Sequence, residues 1–246
     1  MKIKFQYICI ALFILSGCKK PESIQIDKLN YRNETYYKVN SQEPYNGDVF
    51  SLHPNGQYQQ HGKLKNGKFI GSVNYFHQNG QLFKEDPYQN GKVNGTSKEY
   101  LEDGKISKIL TYKDGILHGP FTYYYNEVLK HNKSVGMYAE GKVHGTVEAF
   151  TKDGRLISKE TYKMGKRDGP LILYYEHGGF SIWNYQDGKM HGVFEKFYSN
   201  GDLEETGSYK DDEMHGEFIR YYRNGSIESK TTYKNGERIS DSLELQ

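Results

Sequence analysis

The sequence predicts an all-β protein, an elongated single-layer antiparallel sheet of about eight consecutive β-hairpins. Three observations predict it. The 246 residues include 27 Gly, 23 Tyr and 12 Phe against one Trp and six Pro, a composition suited to strands joined by tight turns. Glycines recur at a nearly constant interval, and apolar residues recur at fixed offsets behind them. A period of about two dozen residues marks a stacked supersecondary unit, because one such unit alone cannot bury its apolar face.

The first element is a leader. Lys2 and Lys4 are positive, and Phe5 to Leu15 form an apolar stretch broken by Gln6. That stretch is about half of the ~20 residues a spanning helix needs, so residues 1–17 read as a lipoprotein signal peptide. Leu15-Ser16-Gly17-Cys18 directly behind it resembles the lipobox of bacterial lipoproteins. The resemblance implies cleavage before Cys18, a diacylglycerol thioether on its sulfur and an acyl chain such as palmitate on its amine. The expected location is the bacterial cell envelope. Lys19 after the lipidated residue, in place of Asp, is compatible with the outer membrane or cell surface of a diderm host. Cys9 leaves with the leader, so the mature chain has no thiol for a disulfide, redox or Cys-ligated metal site. Loss of Lys2 and Lys4 takes Lys plus Arg from 33 to 31, against 31 Asp plus Glu. A neutral chain with interspersed charges carries no electrostatic footprint for nucleic acid, and none is expected as a partner.

Residues 18–35 are polar and carry no repeat signature, so they are expected to form a lipidated N-terminus and tether. Residues 36–238 are the array, and 239–246 a C-terminal tail. The leading Gly of each unit stands at Gly47, Gly71, Gly95, Gly119, Gly145, Gly169, Gly192 and Gly216. The intervals are 24, 24, 24, 26, 24, 23 and 24 residues. Nine residues later, usually after Asn or Asp, come Gly56, Gly80, Gly104, Gly154, Gly178, Gly201 and Gly225. Asn-Gly favours positive φ, so Gly56, Gly80, Gly104, Gly154, Gly201 and Gly225 are assigned as structural turns, each a two-residue hairpin connection. A third Gly about twenty residues after the first, as at Gly67 and Gly91, bounds the return.

Apolar columns run through these units. Val49, Val73, Phe121, Val147, Leu171, Phe194 and Phe218 lie two residues after the leading Gly, and Leu52, Phe76, Tyr100, Tyr124, Phe150, Tyr174, Phe197 and Tyr221 lie five after it. A separation of three breaks strand alternation, which predicts a bulge between the columns. The second strand adds a column from Tyr58 to Ile227 and a Tyr column from Tyr88 to Tyr233. Together these columns are the expected core. Tyr123, Tyr125, Tyr175, Tyr198 and Tyr222 flank it and, with the lone Trp183, form the candidate binding surface.

No catalytic residue can be assigned. His118, His144, His191 and His215 precede leading glycines, but equivalent residues in successive hairpins lie two strands apart, roughly 9–10 Å. Two imidazole nitrogens sharing one zinc must approach within about 4 Å. No Ser or Asp recurs with them at a supporting interval, and no Gly-rich segment leads a strand into a helix, so neither metal nor cofactor is expected.

The unit Gly192-Val193-Phe194-Glu195-Lys196-Phe197-Tyr198-Ser199-Asn200-Gly201-Asp202-Leu203, closing on Tyr209 and His215-Gly216, resembles the bacterial variant of the MORN (membrane occupation and recognition nexus) repeat. The resemblance covers residues 36–238. It implies a MORN-type hairpin array and, through YwqK-like relatives described as antitoxins, a protein-binding scaffold of the envelope with an antitoxin or immunity role. The alternative it carries is direct binding of lipid, glycan or cell-wall material by aromatic faces. Three units depart from the pattern. The fourth has Asn126-Glu127 where the turn Gly belongs, the sixth is one residue short near Gly178-Gly179, and Asp212 replaces the third Gly of the seventh.

Overall fold

The computed structural model describes residues 23–124 and 133–242; Cys18, Tyr125 and the leader lie outside the described residues. Among the described residues the repeats form one open, almost wholly antiparallel sheet, in which successive strands pair, and residues 29–38 form a separate two-stranded sheet. Gly47–Leu52 pairs with Tyr58–Lys65, that strand with Lys68–Phe76, and so on to Ile227–Lys234 and Glu237–Ser242. The predicted single layer of hairpins is the observed fold. The same pairing crosses the irregular fourth repeat, where Ile116–Tyr124 pairs with Lys133–Ala139.

The two kinds of turn are the reverse of the expectation. At the third-Gly position both central residues have positive φ, as in Asn66 (51°) and Gly67 (69°), and Lys65 faces Lys68 directly. This is the two-residue type I′ connection, whose twist matches that of the strands. The connection at Gly56, Gly80, Gly104, Gly154, Gly201 and Gly225 is longer. Gly56 N–H donates to the His53 carbonyl and His53 N–H to the Gln57 carbonyl, with Gly56 at φ 83°. That is a type I turn followed by a left-handed bulge residue. The preceding Asn is selected for a different reason than positive φ: Asn55 Oδ1 accepts from Gln57 N–H, and Asn79, Asp103, Asn200 and Asn224 do the same for the residue two places on.

The predicted bulge is present on the strand opposite. Ser51 faces Gln60 but Leu52 faces Tyr58, leaving Gln59 unpaired, and the same slip recurs at Tyr75/Phe76, Ala149/Phe150, Lys196/Phe197 and Arg220/Tyr221. In the sixth repeat Tyr174 faces Phe180 and Leu173 faces Ser181 with no slip. Its missing residue is therefore the bulge residue, and the hairpin tip is intact.

One row of side chains crosses the middle of one sheet face. Register places Val49 opposite Gly62, Val73 opposite Asp86, Ser97 opposite Leu110, Phe121 opposite Gly136, Leu171 opposite Trp183 and Phe194 opposite Gly207. Val49, Val73, Phe121, Leu171, Phe194 and Phe218 are buried, and so is Ser97 at the equivalent place. The other columns expected in the core are not buried. Leu52, Tyr58, Tyr124 and Ile227 are exposed, and the Tyr column is only half-buried. A single layer has no second layer to cover its outer rows, so burial is confined to the row that flanking side chains can shield.

Residues 24–35, expected to belong to the tether, are folded. Ile24–Gln25 pairs in parallel with Val49–Phe50, and Leu29–Arg32 forms a hairpin with Thr35–Lys38. Leu29, Tyr45, Val49 and Leu64 form a buried cluster with Ile24, Ile26, Tyr36 and Phe69 against it. The segment caps the first strand, whose free edge would otherwise expose unpaired backbone. The signal was Ile24, Ile26 and Leu29 inside a polar stretch. Among the described residues no helix is long and apolar enough to cross a membrane.

Candidate functional site

Each strand offers alternate side chains to two faces, and the two faces differ. The face with the buried row carries aromatic rings in contact from strand to strand. Trp183 packs on Phe194 at 4.3 Å, Phe194 and Trp183 reach Tyr209, and Tyr209 and Tyr233 set their edges against Phe218 at 5.6 and 5.3 Å. Glycine makes room for these rings: a Cβ at Gly136 would stand 2.7 Å from Phe121 Cζ, and one at Gly207 would overlap the Phe218 ring. Trp183, half-buried, is thus part of the packing row, with Nε1 donating to Ser181 Oγ at 2.9 Å. Gly62, Gly136 and Gly207 escaped the sequence reading. Their signal is a small residue fifteen or more places behind a leading Gly wherever a large one faces it across the register.

In the second and third repeats the same row takes in polar residues beside Val73 and Leu110. Asp86, 3% exposed, accepts from Ser97 Oγ at 2.5 Å and pairs with Lys84 Nζ at 3.0 Å, while Lys108 meets Glu99 at 2.7 Å. Partial burial by itself depresses the Lys84 ammonium, but the hydrogen bond and charge of Asp86 outweigh it and hold its pKa above the ordinary value. Tyr75 shares its hydroxyl with Tyr88 at 3.2 Å and Tyr123 with Tyr138 at 3.1 Å. Burial first, and then these bonds, push both phenols well above the usual tyrosine range.

The other candidate residues fall into two groups. Tyr123 is half-buried against Phe121 at 5.2 Å and belongs to the packing. Tyr175 and Tyr222 are exposed at the hairpin tips, 38% and 51%. Tyr198 occupies the same place in its repeat, but its hydroxyl donates to the Tyr221 carbonyl at 2.6 Å, and Arg223 lies over its ring at 4.9 Å. His53 and His77 hold the same position and bond the Phe76 and Tyr100 carbonyls through Nε2. His53, His77 and Tyr198 therefore each tie their own tip to the next. At the opposite ends, the I′ turns are tied by backbone: Gly91 N–H donates to the Phe69 carbonyl and Gly115 N–H to that of Val93. Asp212, in place of Gly, keeps that bond to Met190 O at 3.0 Å and adds a return bond from Met190 N–H to Oδ1 at 2.7 Å.

No group of three or more His, Cys, Asp or Glu side chains among the described residues is placed to hold an ion. His118 and His144 are exposed, and His191 Nδ1 lies 3.7 Å from Asp211 of the next I′ turn. Two shallow grooves lie between neighbouring tips. One spans the sixth to eighth repeats, with His177, Lys196, Phe197, Tyr198, Glu204 and Arg223 around it. The other, of about 610 Å³, spans the first and second and is lined by aromatic rings and amides.

No curated protein matches the chain. The family model described as the MORN repeat variant matches residues 70–90, 93–114, 190–211 and 214–235. Each match runs from a return strand to the next I′ turn, so the sequence unit and the structural unit coincide. The described residues of the stretch between them, 115–124 and 133–189, keep the same strand order without a match. The chain is a repeat protein whose second, third, seventh and eighth hairpins are similar to the MORN repeat variant.

Proposed function

We propose that this protein is a lipid-anchored scaffold of the bacterial envelope that presents its sheet to a protein partner. The observation that carries this reading is the rigid ladder with half-exposed rings along its length, on the face opposite the buried row as well as beside it. Phe180 stacks on Phe197 at 4.5 Å with Tyr174 beside them, and Tyr175 and Tyr222 stand at the tips. Repeat arrays with such extended surfaces bind partners through side chains that ordering has already fixed, and aromatic anchors dominate the energy of such contacts.

Cys18 supplies the anchor in this reading. Metabolic labelling with palmitate and intact-mass measurement test it: wild type carries the lipid mass on a chain starting at Cys18, and Cys18→Ala carries none. An unlabelled wild-type chain ends the membrane part of the proposal. A photo-crosslinking residue at Tyr175 or Tyr222 is expected to capture a discrete partner, whereas one at Phe194 is expected to capture none. An equal yield from both positions counts against a specific interface. Neutralisation of a toxin rests on the family resemblance. Co-expression with a neighbouring toxin gene tests it, and equal killing with and without this protein removes it.

A further inference from the structure

The groove between the tips of the first two repeats goes beyond the scaffold reading. Its floor is made by Phe50, Tyr58 and Phe76. Phe50 meets Tyr58 edge-on at 5.6 Å, and Tyr58 lies 6.4 Å from Phe76. Tyr58 is 50% exposed and Leu52 38%, so the rings form an apolar ledge that water reaches. The rim is made of amides. Gln57 and Gln81 hold equivalent positions in consecutive repeats, and among the described residues neither side-chain amide has a hydrogen-bond partner. Nothing that lines the groove is charged.

That combination has one matching chemistry. An aromatic ledge takes the C–H face of a pyranose, free amides both donate to and accept from vicinal hydroxyls, and the lack of charge disfavours phosphate, carboxylate or ammonium ligands. The groove across the sixth to eighth repeats is the internal contrast, since Arg223, Lys196 and Glu204 give its lining the formal charge that the first groove lacks. Spacing adds to the argument. Gln57 and Gln81 are one hairpin apart, about 9–10 Å by strand spacing, which is about one disaccharide of an extended β-linked chain. We propose that this groove is a binding site for a neutral β-linked oligosaccharide, with Tyr58 as stacking platform and Gln57 and Gln81 as hydroxyl partners.

The test is titration calorimetry of the full-length protein in mild detergent with cellohexaose and with chitohexaose, and with oligogalacturonate as the anionic control. Saturable binding of at least one neutral hexamer is expected, and preference between them reports whether acetamido groups are read. Tyr58→Ala and the double variant Gln57→Ala/Gln81→Ala are each expected to weaken it roughly tenfold or more, and Tyr58→Phe to retain it. Unchanged Trp183 fluorescence and unfolding midpoint show that the variants remain folded. Failure of both neutral hexamers to bind, equal binding of oligogalacturonate, or unchanged affinity in either variant overturns the site. Loss of the protein partner of the scaffold reading would leave all of these outcomes unaffected.

Discussion

The buried row is built in two ways in one molecule. In repeats two and three it reads Val73, Asp86, Ser97 and Leu110, with Lys84 and Ser97 satisfying the carboxylate. From the sixth repeat onward it reads Leu171, Trp183, Phe194, Gly207 and Phe218, rings seated on glycine. Both solutions fill the same slot between the same turns. The aromatic version draws on apolar burial and ring contacts, which tolerate small adjustments of register. The polar version must satisfy every group, because an unpaired carboxylate in that row is costly. The row therefore constrains volume and satisfaction, not chemical type, which is why a column search by residue class sees it only in part.

The largest expected effect tests the aromatic half. Phe194→Ala or Phe218→Ala should cost about 3–5 kcal/mol in urea unfolding, since each removes a buried ring and leaves a cavity. A cost under about 1 kcal/mol would show that the ladder packs loosely. Gly207→Ala should cost ~1–3 kcal/mol by overpacking against Phe218, and Phe218→Leu in the same chain should recover part of it. Additive losses in that cycle would separate the two residues.

The polar half is broken by Asp86→Ala, which leaves Lys84 and Ser97 Oγ without their carboxylate and should cost ~1–3 kcal/mol. It also has a pH signature. Lys84 and the phenols of Tyr75 and Tyr123 hold pKa values in the folded chain above their ordinary 10.5 and 10.0. Groups raised in this sense stabilise fully below their unfolded pKa, and that contribution is lost as pH climbs from there through the folded values. Stability should therefore hold to about pH 10 and fall above it, and the fall should be shallower in Asp86→Ala. An unaltered alkaline profile would show that the pair is not coupled to folding. Tyr198→Phe, which deletes one tip-to-tip bond, should cost ~0.5–1.5 kcal/mol. Smallest is Tyr222→Ala, within about 0.5 kcal/mol on stability.

What could be read from the sequence followed from periodicity. The leading glycines, the Asn-Gly pairs and the apolar column two residues on predicted strands, turns, a bulge and a single sheet, and the structure has them. What misread was chemistry that depends on neighbours. Asn55-Gly56 and Asn66-Gly67 are the same dipeptide, yet one is a bulged type I turn and the other a type I′ turn, because the strands on either side impose different registers. Trp183 stands out in the sequence as the lone Trp, and the row it packs in becomes visible only across the register with Leu171 and Phe194.

By itself the sequence determined the unit: where each hairpin starts, how long it is, and where its glycines punctuate it, since those demands are local to a few bonds. Tertiary structure alone decided how the units close against one another. It folded residues 24–35 over the first edge, tied tip to tip through His53, His77 and Tyr198, and left the groove at Tyr58 open. The physical reason is that a one-layer sheet has too little apolar partner surface to bury every column, so which rows are covered depends on what the neighbouring repeat lays beside them.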